Sequence, residues 1–288
     1  MKTFISILLL LLISFSSILL FGCSNDKLKK YSKLEDLRIL GITSSAPEIN
    51  SAQVITLTPY LSHPEGGNTT IKISYVACPD PGLAYGADVD CDDFSSPLLI
   101  EGNSTYSTSI LTASEFYTGS MSDISVTIPA QAFIYLNSLS ESKKFNGIDY
   151  LFIFTFYDTN NPSSKINAVK RIKLSNKDNS ELNTNPSFTG NIEADGNAIE
   201  NFPTSKRELK VTSFSQEESY QYKSQSGTDS FDEKYTVTWF ARGGTFDFSR
   251  TDISEGNNFD PRGQSGVIVV ALRDDRYGIA FKKIVSND

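Results

Sequence analysis

Short segments in which apolar and polar residues alternate recur along most of the chain, and turn residues separate them. Over residues 53–61, for example, Ile55, Leu57 and Leu61 share one face and polar residues fall on the other. A period of two is typical of a half-buried β-strand. After residue 22, no segment longer than about ten residues shows the 3.6-residue period of a helix. Residues 131–139 predict one short helix or helical turn, so we expect an all-β fold.

Further strands are predicted from the same pattern. They cover residues 37–42, 71–77, 124–128, 148–157, 166–174, 209–211, 220–222, 235–241, 267–272 and 279–285. The 148–157 segment is apolar on both faces, which indicates a central strand. Its aromatic side chains, such as Phe152 and Phe154, are therefore predicted to be core rather than a ligand platform. Gly278 suits the left-handed position of a hairpin loop between the last two strands.

The spacing of these strands, roughly 10–15 residues, favours β-sandwiches. A polar stretch over residues 176–186 predicts a linker between a domain at 37–175 and a domain at 187–288. Trp239 lies in the middle of a strand and resembles the core tryptophan of immunoglobulin-type domains, without flanking cysteines. We expect two Ig-like or fibronectin-like antiparallel β-sandwich domains in tandem.

The N-terminus carries a different signal. Lys2 precedes an apolar stretch over residues 4–20, and the run Leu20-Phe21-Gly22-Cys23 resembles the lipobox of bacterial lipoproteins. The resemblance implies that residues 1–22 are a signal peptide, that Cys23 carries lipid, and that residues 23–36 form a tether. An uncleaved membrane span is an alternative, since the apolar stretch has about the minimum length to cross a bilayer, and simple secretion is another.

Charge and location follow from the lipobox. Removing residues 1–22 takes away only Lys2 among the charged residues, so the net charge changes from −8 to −9 and 266 residues remain. An acidic chain argues against nucleic-acid binding. The expected partner is the lipid bilayer, reached through acylated Cys23. Ser24 resembles the residue that follows the cysteine in lipoproteins sent to an outer membrane, so we expect a lipid-anchored protein of the cell envelope at the outer membrane.

The remaining cysteines are Cys78 and Cys91. Export to an oxidising compartment favours a disulfide between them, and a loop this short would stabilise the fold by roughly 3 kcal/mol in the chain-entropy treatment. A metal-binding pair is the alternative, but the sequence offers neither a CxxC spacing nor a histidine partner.

Several short motifs carry a wider resemblance. They are the runs at 37–40, 239–241 and 273–276, the Gly243-Gly244 pair, and the Cys78-Pro79 loop with Pro47 upstream. Together they resemble bacterial surface lipoproteins with tandem immunoglobulin-like domains, over most of the chain that follows the signal peptide. The resemblance implies a fold and a location, and it brings no catalytic residue.

An acidic cluster lies around Cys91, at the end of the Cys78–Cys91 region. Asp88, Asp90, Asp92 and Asp93 are a weak calcium candidate, because alternating aspartates can supply several oxygen ligands. The position that an EF-hand gives to glycine holds Asp93, and Glu101 is out of register. The alternative is a solvated acidic loop, and we expect no metal and no cofactor.

A second candidate is the charged run between the last two strands, which consists of Arg273, Asp274, Asp275 and Arg276. As an exposed hairpin tip it would be a binding loop at one end of the second sandwich. The alternative is a cluster of local ion pairs, each contributing about 0–1 kcal/mol.

Catalytic chemistry finds little support. His63 is the only histidine, and its neighbours predict a surface turn rather than a catalytic base. Paired carboxylates can hydrolyse glycosides, but the sequence singles out no pair. We therefore expect a non-enzymatic binding or adhesion module of the cell envelope whose ligand is a protein or a glycan of the envelope or a host. The alternatives are a structural subunit of an envelope complex, with edge strands pairing to a neighbour, and a carboxylate-dependent hydrolase.

Overall fold

Strands dominate the computed structural model, which describes residues 32–63, 69–80, 90–107, 117–263 and 265–286. The predicted signal peptide and Cys23 lie outside these residues. From Ser32 onward the chain is one compact unit, and it contains two pairs of stacked sheets.

Nine strands among the described residues build the first sandwich. They are β1 (Arg38–Ser44), β2 (Glu48–Ile49), β3 (Val54–His63), β4 (Thr70–Pro79), β5 (Ile100–Ser107), β6 (Tyr117–Ser120), β7 (Ile124–Thr127), β8 (Ile148–Asp158) and β9 (Asn161–Leu174). One sheet has the order β1-β3-β6, with β7 also paired to β3, and the other has the order β2-β9-β8-β4-β5. All these pairings are antiparallel except that of β2 with β9.

The central position of β8 follows from its sequence. Tyr150, Phe152, Phe154 and Phe156 alternate along it and are fully buried between the two sheets, where they meet Leu57 of β3 and its neighbours. On the outward face of the strand, Leu151 and Ile153 are also apolar. The predictions of a central strand and of a core role for its aromatic residues are confirmed.

Two short helices lie between β7 and β8. Helix α1 (Ala130–Asn137) follows Pro129 and buries Ala132 and Leu136, which confirms the helical prediction there. Helix α2 (Glu141–Asn146) buries only Phe145, so its sequence carries no helical period. Gly147 ends α2 at a φ of 80°, a left-handed conformation that glycine adopts at little cost.

The second sandwich follows a 3-10 turn at Asn179–Glu181. Its strands are β10 (Ile192–Ala194), β11 (Asn197–Ile199), β12 (Arg207–Val211), β13 (Ser219–Lys223), β14 (Thr228–Asp232), β15 (Thr236–Arg242), β16 (Gly244–Phe246), β17 (Arg250–Asp252), β18 (Asn257–Pro261), β19 (Val267–Arg273) and β20 (Ile279–Val285). The sheets have the orders β11-β10-β12-β18-β16 and β17-β15-β19-β20, while β13 and β14 form a separate two-stranded ribbon.

Trp239 lies at the centre of this second core. Its side chain is fully buried, its ring centroid is 5.2 Å from that of Phe246, and its indole Nε1 donates a 2.9 Å hydrogen bond to the Thr251 hydroxyl. Residues of both sheets pack around it. The predicted all-β class and β-sandwich architecture are confirmed.

A third apolar cluster joins the two sandwiches. Leu34 and Leu40 pack against Phe240 and Val269, on the opposite face of β15 and β19 from Trp239, and the ring of Tyr60 stacks on that of Phe281 with centroids 4.4 Å apart. The sandwiches therefore pack directly on one another, and the limits 37–175 and 187–288 for separate domains stay a prediction.

Parts of the predicted tether and of the predicted linker are packed against the sandwiches. Ser32 and Leu34, within the predicted tether, are buried, and backbone hydrogen bonds join them to Ala241. In the predicted linker, Lys177 and Asn183 are buried too. Partners across the sandwich junction satisfy the polar groups of these residues, and the tether and linker assignments stay predictions.

Candidate functional site

The predicted disulfide is confirmed. Cys78, in the last part of β4, is bonded to Cys91 with an S–S distance of 2.06 Å. Both side chains pack on Leu151 of the neighbouring strand β8. The bridge thus fastens the segment after residue 90 to the outer face of the five-stranded sheet.

A cavity of about 440 Å³ opens beside this bridge. Its floor is apolar, because Val76 and Ile153 are cross-strand neighbours on the outer sheet face and Phe94 and Leu99 come from the segment after Cys91. These side chains are only partly buried. The volume lies within the range of small-molecule and side-chain pockets, about 300–1,000 Å³.

The rim of this cavity is acidic. Asp90, Asp92 and Glu101 line it, while Asp93 is exposed nearby in sequence and Asp88 lies outside the described residues. The Asp90 carboxylate accepts a 3.2 Å hydrogen bond from the Asp92 backbone N–H. Within the described ranges, no three acidic, histidine or cysteine side chains converge as a metal site would require.

The charged run after β19 is not a free hairpin tip. Asp274 and Arg276 are only 9% and 7% exposed, and among the four residues only Asp275 is exposed. Arg273, at the end of β19, donates from its guanidinium to the Leu40 carbonyl at 2.8 Å. The expectation of an exposed loop is wrong for Asp274 and Arg276 because the first sandwich and the ribbon cover them; a binding role for the run stays a prediction.

Asp274 shapes the turn itself. Its Oδ1 accepts hydrogen bonds from the backbone N–H groups of Arg276 and Gly278, at 2.8 and 2.6 Å. The left-handed residue of this turn is Tyr277, with φ at 80°, and not Gly278 as expected. Gly278 is needed for a different reason, since a Cβ atom there would lie 2.0 Å from the Asp274 carboxylate.

Arg276 is the centre of a buried ionic cluster. Its guanidinium lies 2.9 Å from the carboxylate of Glu48, 3.6 Å from that of Glu218 and 3.9 Å from that of Glu233. It also stacks over the ring of Tyr220 at 4.6 Å. Arg276 of the second sandwich therefore contacts Glu48 in strand β2 of the first sandwich. It also contacts Glu218 and Glu233, which flank the β13–β14 ribbon.

Glu48 is the anionic partner from the first sandwich. Its side chain is fully buried and also lies 3.3 Å from the Lys177 ammonium, and the Asn183 backbone N–H donates to it at 3.0 Å. Burial alone would favour the protonated acid, but Lys177, the Asn183 hydrogen bond and Arg276 hold the pKa of Glu48 below its usual value.

Glu233 is the glutamate of the cluster that lies farthest from Arg276, at 3.9 Å against 2.9 Å for Glu48 and 3.6 Å for Glu218. Burial, reinforced by the negative charges of Asp274 and Glu218, raises the pKa of Glu233 to about 7, although Arg276 and a backbone hydrogen bond oppose the shift. Burial likewise lowers the pKa of Lys170 to about 8.

This arrangement predicts a pH-dependent stability. The folded-state pKa of Glu233, about 7, exceeds its ordinary value of 4.5, so the folded chain retains a proton that the unfolded chain loses. The associated stabilisation is complete below about pH 4.5 and is lost as the pH rises through 7. As the pH rises from 5 to 8, we expect the free energy of unfolding of the wild type to fall by about 2 kcal/mol relative to that of Glu233→Gln, as measured by urea denaturation. Glu217→Gln, on the exposed surface, is the control. If the difference in unfolding free energy between the wild type and Glu233→Gln does not change with pH, the raised pKa of Glu233 is contradicted.

His63 is not in a surface turn. It ends strand β3, is only 4% exposed, and its Nε2 lies 3.1 Å from the Asp158 carboxylate at the end of β8. The hydroxyl of Thr69 and the backbone N–H of Asn160 also donate to Asp158. These hydrogen bonds outweigh burial and hold the pKa of Asp158 below its usual value. The turn prediction is wrong because this carboxylate satisfies the buried imidazole, which here joins two strand ends.

Several residues of the ionic cluster could not be found from the sequence. The sequence around Glu48, Lys177 and Glu233 is polar and shows no motif. The ion-pair partners Glu48 and Arg276 are 228 residues apart in the sequence. The only sequence signal was the concentration of charge at residues 273–276.

No helix in the described part of the chain is long and apolar enough to cross a bilayer.

Comparisons with known proteins identify no family. No family model matches the chain, and no curated protein resembles it in sequence. Similar solved structures include the periplasmic chaperone SfaE (11% identity, TM-score 0.24, covering 85% of this chain and 98% of that one). Another is the Salmonella alpha-2-macroglobulin mutant Y1175G, with 8% identity and a TM-score of 0.27, covering 88% of this chain and 17% of that one. A third is the Yersinia pseudotuberculosis adhesin InvE, with 12% identity and a TM-score of 0.19, covering 88% of this chain and 61% of that one. This chain therefore spans about a sixth of the Salmonella protein. Likenesses at these TM-scores carry no functional information, so the function has to be argued from the geometry above.

Proposed function

We propose that the chain is a non-enzymatic binding module of the cell envelope that accepts a basic, apolar protein segment in the cavity beside the Cys78–Cys91 bridge. The observation that carries this proposal is the pairing of an apolar floor with an acidic rim. Val76 and Ile153 offer apolar surface that stays partly solvent-exposed, and Asp92 and Glu101 stand beside it.

Charge complementarity selects the ligand. A segment that places leucine-like side chains on the floor and lysine or arginine at the rim would satisfy both parts of the cavity, while an acidic segment would be repelled. The chain's net charge of −8 adds long-range attraction for a cationic partner. The disulfide keeps the wall at Cys91 fixed on the sheet, which lowers the entropy cost of binding.

A synthetic peptide of alternating lysine and leucine tests the proposal, with a glutamate–leucine peptide as the ligand control. Isothermal titration of the full-length chain in detergent should show binding of the first peptide only, weakening with salt. Ile153→Lys should reduce affinity about tenfold or more, corresponding to at least 1.4 kcal/mol. Val169→Lys is a matched control, because Val169 is the cross-strand neighbour of Ile153 but does not line the cavity. Equal binding of both peptides, or equal effects of both variants, would refute the proposal.

We also propose that acylated Cys23 holds this module at the membrane, in the outer membrane of the cell envelope. The support is the Leu20-Phe21-Gly22-Cys23 motif together with the preceding apolar stretch. Several acyl chains give stable anchoring, at about 0.8 kcal/mol per buried CH₂.

Cys23→Ala is therefore expected to lose the anchor. The wild-type chain should fractionate with membranes and carry labelled fatty acid, while the variant should carry none and leave the membrane fraction once its leader is cleaved. Membrane association of Cys23→Ala without any acyl label would show that lipid on Cys23 is not the anchor.

A further inference from the structure

A second cavity, of about 530 Å³, lies between helix α2 and the β13–β14 ribbon. It shares no lining residue with the cavity beside the disulfide. One wall comes from the first sandwich, through Lys143, Asn146 and Lys173, and the other from the ribbon and its turn, through Tyr222 and Lys223. The site therefore exists only when the two halves of the chain are docked.

The two walls are held together by specific contacts. The Asn146 side chain donates a 2.8 Å hydrogen bond to the Lys223 carbonyl and accepts one of 2.7 Å from the Lys223 backbone N–H. The Lys223 ammonium lies 3.9 Å above the ring of Phe145. This reciprocal pair fixes the ribbon against α2, so the cavity is preorganised.

The cavity is positively charged in an acidic chain. Lys173 is neutralised by Asp149 at 2.7 Å. In contrast, Lys143 and Lys223 take part in none of the ion pairs found among the described residues. The cavity lining thus contains three lysines and no carboxylate, while Lys223 also interacts electrostatically with Glu141 outside the lining. This excess of positive charge favours an anionic ligand.

Its remaining lining suits a sugar ring. The side chain of Tyr222 is 47% exposed and lines the cavity, offering an apolar ring face with a polar tip. The side-chain amide of Gln225 supplies a further polar group, while the Asn146 amide and the Ser224 hydroxyl already bond to Lys223 and Gly227. A sugar ring presents an apolar C–H face and several hydroxyls, and this combination of groups matches it.

We propose that this cavity binds an acidic saccharide, a sugar whose carboxylate or sulfate pairs with Lys143 and Lys223 while its ring packs on Tyr222. The proposal rests on the binding role proposed above and extends it to a second, separate site. A small inorganic anion would use the lysines alone, so the tyrosine distinguishes the two ligands.

The test is titration of the full-length chain in detergent with a tetramer of galacturonic acid, a neutral galactose tetramer and inorganic phosphate. The acidic tetramer should bind at least about tenfold more tightly than either of the others. Lys143→Ala with Lys223→Ala, and separately Tyr222→Ala, should each weaken it about tenfold. The Lys223 substitution leaves the backbone hydrogen bonds to Asn146 in place, so melting temperature verifies folding. Lys206→Ala, at an exposed lysine outside the cavity, should change nothing.

Three results would overturn the proposal. These are equal affinity for the neutral tetramer, an effect of Lys206→Ala as large as that of the cavity variants, or binding that phosphate matches and Tyr222→Ala leaves unchanged. Ile153→Lys should leave saccharide binding intact, so failure at this site is distinguishable from failure of the proposed peptide site.

Discussion

Replacing Arg276 with alanine is expected to lower the free energy of unfolding by about 3–5 kcal/mol, the usual cost of leaving a buried charge without its partner. Glu48 is fully buried, and Arg276 is its closer cationic partner, at 2.9 Å against 3.3 Å for Lys177. The substitution also removes the cation that faces Glu218 and Glu233. Urea denaturation at pH 7 measures the loss.

Two further variants isolate the cause. Arg250→Ala removes an exposed arginine from strand β17 and should cost no more than about 0.5 kcal/mol. Adding Glu48→Gln to Arg276→Ala should restore part of the stability, since no unpaired carboxylate is then buried. If Arg276→Ala is no more destabilising than Arg250→Ala, the ionic cluster does not hold the junction.

Trp239→Ala is expected to destabilise the chain by a similar amount, about 3–5 kcal/mol. Trp239 fills the space between the two sheets of the second sandwich, packs on Phe246 and satisfies the Thr251 hydroxyl. Its removal leaves a cavity lined by both sheets and an unpaired buried hydroxyl. Thermal and urea denaturation provide the measurement.

Phe248→Ala is the matched aromatic control. Phe248 lies in the same sandwich but is 62% exposed, so truncation should change the free energy of unfolding by at most about 0.5 kcal/mol. Comparable losses for the two variants would mean that Trp239 is not the centre of this core.

The strands that could be predicted from the sequence are those long enough to show a period. Strands such as β3, β8 and β19 carry four or more alternating or continuously apolar residues, and each was predicted within a few residues of its bounds. The three-residue strands β10, β11, β16 and β17 offer too few positions to show any period.

Some sites could be predicted from the sequence and others could not. The disulfide was predicted from the expected compartment and the cysteine number, and two of the predicted aspartates, Asp90 and Asp92, line a cavity beside it. The ionic junction could not be predicted, because charged residues usually indicate solvent exposure. Only the packing of one sandwich on the other shows that Glu48, Lys177 and Arg276 satisfy one another. His63 was misplaced for the same reason, as its carboxylate partner is 95 residues away.

The most direct test of the proposed binding role is an amide chemical-shift map of the isotope-labelled full-length chain during titration with the lysine–leucine peptide. The largest shifts should fall at the cavity beside the disulfide, around Val76, Leu99 and Ile153, and should disappear in Ile153→Lys. Shifts that are absent, spread over the surface, or unchanged in Ile153→Lys would contradict binding at this site.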